Sequence, residues 1–214
     1  MRIFSISSLN GSLKASLMTL FLFSFCSTQV HAGQPLESLV WKMSVATTAA
    51  LIVATNPLKA RGMTMEIGGG DHVSVVRAGA QWGWNDDLLE VFGWNVSSYW
   101  QLDFSRWQST RDSSQTGVNM TVGFTPMFRF TGKEGYVQPY VDVGVGISLF
   151  TVSRFQEHEF GSNFQFADML GIGANIGKRN QWGFAYKFQH YSNGSVRVPN
   201  KGINFHFLTL TYQY

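Results

Sequence analysis

Cysteine is almost missing from this chain, with Cys26 the single one in 214 residues. One thiol excludes an internal disulfide, and once an N-terminal leader is removed it excludes a thiol nucleophile as well. Charge is scarce too, at 14% of residues, with sixteen cations against thirteen acids. Arg2 and Lys14 both stand in the first thirty-two residues, so residues 33–214 hold fourteen cations against thirteen acids, a net charge of +1. Nucleic acid is therefore not an expected partner. Nor is there an apolar run long enough for a transmembrane helix, which takes about 20 residues.

The N-terminus reads as export machinery. Arg2 and Lys14 precede an apolar run from Leu17 to Phe25, and Val30-His31-Ala32 resembles a small-residue cleavage site, so residues 1–32 are expected to be a signal peptide. Cys26 follows Phe25, where a lipoprotein cleavage site needs a small residue, and lipidation is not expected. Trp41-Lys42-Met43 opens a second apolar stretch ending at Leu58-Lys59-Ala60, which leaves processing as late as residue 60 open. The barrel described next occupies residues 61–214 under either choice.

What the chain has in quantity is glycine, 22 residues, and aromatics, 15%. Both suit strands and tight turns, and after Ala60 no segment carries the period of a long amphipathic helix. Strand signals recur eight times. They cover Arg61 to Gly68, Val73 to Trp84, Val91 to Trp107, Val118 to Phe130, the stretch around Val141 to Leu149, Asn163 to Gly177, Trp182 to Ser192, and the arm running through Asn204 to Tyr214. The fifth shows the pattern most plainly, with Val141, Val143, Val145, Ile147 and Leu149 opposing Tyr140, Asp142, Gly144, Gly146 and Ser148. Alternate side chains of a strand share a face. One greasy, aromatic face and one polar or glycine face define an all-β, eight-stranded antiparallel transmembrane β-barrel rather than a soluble sandwich. Pro126 and Pro139 are expected at strand ends or bulges.

Connection lengths orient the barrel. Asn85 to Glu90, Thr131 to Gly135 and Gly177 to Asn180 read as short periplasmic turns. Gln108 to Gly117, Ser153 to Ser162 and Asn193 to Gly202 read as longer external loops.

The last hairpin breaks the greasy pattern. Trp182, Phe184, Tyr186, Phe188, His190 and Ser192 share the outward face of one arm, and counting back from Tyr214 by twos puts His206 and Asn204 on the outward face of the other. Polar groups facing lipid are costly unless used. An imidazole two residues from a serine can serve as the base that a serine nucleophile needs. Asn204 can fix the tautomer of His190, and the Asn193 amide and the N–H groups near Gly194 can hold an oxyanion. His206 reads as an interfacial histidine. Arg106, Arg111, Arg154, Arg197 and Lys201 fall on the external side, where lipid phosphates are natural partners. Glu157-His158-Glu159 reads as solvated loop charge rather than a metal site.

His190-Tyr191-Ser192-Asn193, followed by Pro199-Asn200 and Gly202-Ile203, resembles the signature of the PagL-type lipid A 3-O-deacylases, which are outer-membrane esterases. A looser similarity runs from about Val73 to the C-terminus and includes Gly161-Ser162-Asn163-Phe164-Gln165-Phe166. The resemblance implies His190 as general base, Ser192 as nucleophile and Asn193 as an oxyanion donor, with no metal or organic cofactor and with lipid A in the outer leaflet as substrate. Independently of the resemblance, Arg154, Arg197, Asn200 and Lys201 on the external side are candidate substrate contacts, with ordinary loop charge as the other reading. The chain departs from the family pattern directly after the Gly-Ile pair, where the family often carries glutamate and this chain has Asn204. An amide orients histidine but does not offset imidazolium charge. Two other readings use the same sequence: an outer-membrane phospholipase or acyltransferase, and a non-enzymatic structural or adhesion barrel.

Overall fold

The computed structural model describes residue 47 and residues 50–111 and 117–214. The chain divides into two units, Met1–Ala60 and Arg61–Tyr214. The expected signal peptide and Cys26 lie outside the described residues. In the first unit, residues 50–55 are helical.

The second unit is a closed antiparallel barrel of eight strands with one small hairpin in a loop. In chain order the strands are β1 Gly62–Gly70, β2 Val73–Val91, β3 Trp94–Ser109, β4 Val118–Thr131, β5 Val137–Phe150, the hairpin pair β6 Arg154–Phe155 and β7 His158–Glu159, then β8 Phe164–Ile176, β9 Trp182–Ser192 and β10 Ile203–Gln213. Closure comes from β1 pairing with β10 as well as β2, so no barrel strand keeps a free edge.

Parity governs the whole wall. On β9, Gly183, Ala185, Lys187, Gln189 and Tyr191 are buried inside the barrel, while Trp182, Phe184 and Tyr186 stand outside. On the outer wall Ile67, Ile172 and Leu208 are each more than 60% exposed. Such a surface is stable only against lipid. Trp84 stacks on Trp100, and Trp100 on Phe124, at centroid distances of 4.9 and 5.1 Å. Trp182, Tyr212 and Tyr214 form a second outer group at the chain's C-terminal end. These are the rings expected of an interfacial girdle.

The interior is filled, not open. At the loop end Trp107 is fully buried among Phe150, Phe155, Phe160, Tyr191 and Phe205. Below it Glu66 takes ion pairs from Arg77 and, at 2.9 Å, from Lys187. Arg77 also lies 4.0 Å over the Phe207 ring. Toward the opposite end Arg129 pairs with Asp142 at 2.7 Å and lies 3.9 Å over Tyr140. With Asp103 also buried, the described interior holds three cations and three carboxylates. A buried charge is tolerable only with such compensation.

Two local expectations are corrected. Asn85 to Glu90 is not a connection; it belongs to β2, which runs to Val91 through two register shifts before turning at Phe92-Gly93, both at positive φ. Bulges absorb the polar residues there, so a run that looks like a turn continues as ladder. Pro126 lies inside β4 rather than near its end. There the β4–β5 pairing passes from Phe124↔Ile147 to Met127↔Gly144 with the positions between unpaired, which accommodates a residue lacking N–H. Pro139, third residue of β5, sits near a strand end as expected.

Candidate active site

The register of the last two strands builds the site. Asn204 on β10 pairs with His190 on β9, and both stand on the outward face. His190 Nδ1 lies 2.6 Å from Asn204 Oδ1. An amide oxygen only accepts, so Nδ1–H is the donor and the neutral ring keeps its lone pair on Nε2. The free lone pair is the one a general base uses.

The ring's tilt is set by Gly202. A Cβ at that position would lie 2.7 Å from His190 Cε1 and 3.2 Å from Nε2. The imidazole therefore leans over the Gly202 backbone, with its basic edge toward the loop end of β9. Ser192 stands at that end on the same outward face, paired across the sheet with Phe166. Among the described residues the Ser192 hydroxyl is in no hydrogen bond, with His190 or with any other group.

Asn193 points the other way. It is 1% exposed, and its amide nitrogen donates to Phe160 O at 2.6 Å and to Arg197 O at 2.8 Å. Its backbone N–H donates to Asn200 Oδ1 at 2.9 Å. All its donors are spent holding two loops together, so an oxyanion role for this side chain is not the one the geometry favours. The parity of β9 is the reason, because the residue after an outward Ser192 turns inward. Gly194 follows at φ +63°, and among the described residues its N–H has no acceptor. Asn200 likewise belongs to the loop, accepting from Asn193 and donating to Ser195 Oγ at 3.4 Å.

The remaining expected contacts divide. Arg154 pairs with Glu159 at 2.6 Å and Arg111 with Glu157 at 3.0 Å. The Arg111 hydrogen bond holds the Glu157 carboxyl below the usual glutamate range. Two of the expected lipid-phosphate cations and both acids of the Glu157-His158-Glu159 run are thus engaged with each other. Arg197 and Lys201 are exposed, and among the described residues no acid pairs with them. His206 hydrogen-bonds Tyr186 Oη at 2.5 Å and stacks on its ring.

Two further features border the site. An outer furrow of about 510 Å³ runs along the wall between Pro126, Phe128, Val143, Gly144, Leu170 and Phe188. Of the β9 aromatics only Phe188 reaches it; Trp182 and Phe184 lie outside it. Asp168, at the furrow's margin, pairs across the sheet with His190. Strand parity places Asp168 on the outer wall, two residues before Leu170. Only the β8–β9 register, which periodicity does not supply, sets it opposite the imidazole.

A model of the lipid A 3-O-deacylase (PagL) family matches residues 74–213. The lipid A deacylase PagL of Bordetella bronchiseptica is 31% identical over 165 residues, which is 72% of this chain and 83% of that protein. The lipid A deacylase PagL of Pseudomonas aeruginosa is 24% identical over 127 residues, 59% of this chain and 70% of that protein. Among solved structures, that of the outer membrane enzyme PagL superposes with a TM-score of 0.64 at 21% identity, covering 72% of this chain and 99% of that one. The last comparison bears on the fold.

Proposed function

The chain belongs to the PagL family of lipid A 3-O-deacylases, and from that premise we propose that it hydrolyses the 3-position acyl ester of lipid A in the outer leaflet of a bacterial outer membrane. Ser192 is the nucleophile and His190 its base. The observation that carries this reading is the Asn204–His190 pair on the lipid-facing wall, which leaves Nε2 with its lone pair two residues from Ser192 on the same face of β9. The long-loop end of the barrel faces outward, so the site lies beside the outer leaflet.

In the first half-reaction Ser192 Oγ attacks the ester carbonyl and its proton passes to His190 Nε2. The N–H of Gly194 stabilises the oxyanion, and Asn193 acts at one remove by fixing the loop that presents it. His190 then gives the proton to the departing sugar oxygen, leaving an acyl-serine. Water, deprotonated by the same Nε2, releases a fatty acid, by family analogy a 3-hydroxy acid. The acyl chain lies in the furrow beside Phe188, and Arg197 and Lys201 meet the lipid phosphates.

Mass spectrometry of lipid A from cells expressing the wild type, Ser192→Ala and Asn204→Ala tests the reading. Loss of one hydroxyacyl group with the wild type, none with Ser192→Ala, and turnover reduced about 10- to 100-fold with Asn204→Ala is the expected result. Hydroxyacyl loss that persists in Ser192→Ala would remove serine from the mechanism. Unchanged lipid A with fatty acid released from glycerophospholipid would make the barrel a phospholipase.

A further inference from the structure

One row of outward residues leads away from the site and ends at a stack of rings. His190 pairs with Asp168, Asp168 with Val145, and Pro126 with Trp100. Val145 faces Pro126 in the interval between Phe124↔Ile147 and Met127↔Gly144. The rows on either side carry larger side chains. Above lie Phe166, Ile147 and Phe124, in line with Ser192; below lie Leu170, Val143 and Phe128, in line with Phe188. Past Asp168 the middle row offers only a valine and a proline, and the furrow of about 510 Å³ lies there. At its far end Trp100 stacks on Phe124 at 5.1 Å and on Trp84 at 4.9 Å, and Trp84 lies 6.0 Å from Phe128. These four rings join the upper row to the lower and hold one another in place.

The furrow also descends. His190 pairs with Asn204, two residues from His206, whose partner Gly69 is near the loop end of β1. Followed the other way, the same row reaches β2 at Trp82, one residue past Gln81, whose partner Gly62 is at the opposite end of β1. Tilted strands produce this stagger. Crossing from β9 to β3, the furrow therefore leads from the loop end toward the opposite girdle, as an acyl chain runs from a headgroup into a bilayer. Its length can be worked out from the sheet. Four interstrand steps of about 4.7–4.9 Å separate His190 from Trp100, roughly 19 Å. Contact with the indole takes about 4 Å of that. An extended chain with carbon–carbon bonds of about 1.52 Å and angles of about 111° advances roughly 1.25 Å per bond, so about 12 carbons fit beyond the ester.

We propose that the furrow is a length gauge for the acyl chain that is removed, and that Trp100, held by Phe124 and Trp84, is the specificity-determining residue at its end. The matching chain has roughly 12 to 14 carbons and meets the indole with its tail. A longer chain must leave the furrow or push the stacked rings apart. The proposal rests on the Ser192/His190 reading of the site, and its test separates the two.

Full-length wild type, Trp100→Ala and Val145→Trp, each shown to be folded by its shift on an unheated gel, are assayed in mixed micelles. The substrates are synthetic diacylglucosamine phosphates whose 3-position chain is short (about 8 carbons), matched (about 14) or long (about 18). Wild type favours the matched chain over the long one by about tenfold in kcat/KM. Trp100→Ala opens the end of the furrow and brings the long-to-matched ratio close to one. Val145→Trp fills the furrow midway, and the matched-to-short ratio falls about tenfold. A ratio unmoved by either substitution overturns the proposal, and so does a wild-type profile flat in chain length, which would put the chain in bulk lipid. A second measurement needs no turnover. An ether-linked analogue of the matched chain with a terminal bromine quenches tryptophan fluorescence in the wild type and quenches a smaller fraction in Trp100→Phe; equal fractions overturn the placement of the tail. Deacylation retained in Ser192→Ala condemns the underlying mechanism instead, and the quenching still reports where the chain ends.

Discussion

Gly202→Ala probes the site without touching any group that makes or breaks a bond. The added methyl carbon would lie 2.7 Å from His190 Cε1 and 2.8 Å from Tyr191 O. Carbon atoms prefer separations of about 3.5–4.0 Å, so the imidazole must retreat by roughly 1 Å or the start of β10 must move away. Either response carries Nε2 off its approach to Ser192 or loosens the Asn204 bond. A misplacement of about 1 Å costs on the order of 10²-fold in rate, and overpacking of this kind costs about 1–3 kcal/mol of stability. The assay is deacylation of purified lipid A in mixed micelles, followed by the shift of folded barrel on an unheated gel to confirm insertion. The expected result is a folded protein with turnover down about 100-fold and little change in KM. A folded Gly202→Ala enzyme of wild-type rate would refute the placement of the ring, and with it the assignment of Nε2 as the base.

Glu66→Gln leaves Arg77 and Lys187 buried with one compensating carboxylate fewer, and the expected loss is about 3–5 kcal/mol in denaturant unfolding from micelles. The outward site should keep its rate in whatever fraction folds; an unchanged unfolding midpoint would show that the interior charges are solvated. Asn193→Ala removes a donor from the Arg197 carbonyl and one of the two donors of the Phe160 carbonyl, the other being Gln165 Nε2 at 3.3 Å, a cost of about 1–3 kcal/mol. It should expose the 193–202 loop to proteolysis and lower turnover together, and a protease-resistant Asn193→Ala variant with a collapsed rate would instead make its amide a direct oxyanion donor.

The barrel and the outward site were legible in the sequence because a strand's side chains alternate with a period of two. Parity alone placed Tyr186, His190, Ser192, Asn204 and His206 on the outer wall, and Lys187, Gln189 and Tyr191 inside. The same parity turns Asn193 inward, a consequence hidden by the chemical appeal of an amide beside a serine. Near β2 the reading stopped early, because the polar run Asn85 to Glu90 is carried by bulges that leave no periodic trace.

What the sequence by itself determined is which face each residue occupies, since that depends only on position along one strand. Which residues meet across strands was decided by the tertiary structure alone. Register is fixed by the closed ladder and the turns, and a slip of two residues would preserve every face while changing every neighbour. The pairing of His190 with Asn204 on one side and Asp168 on the other, the lean of the ring over Gly202, and the matched charges around Glu66 are all of that second kind.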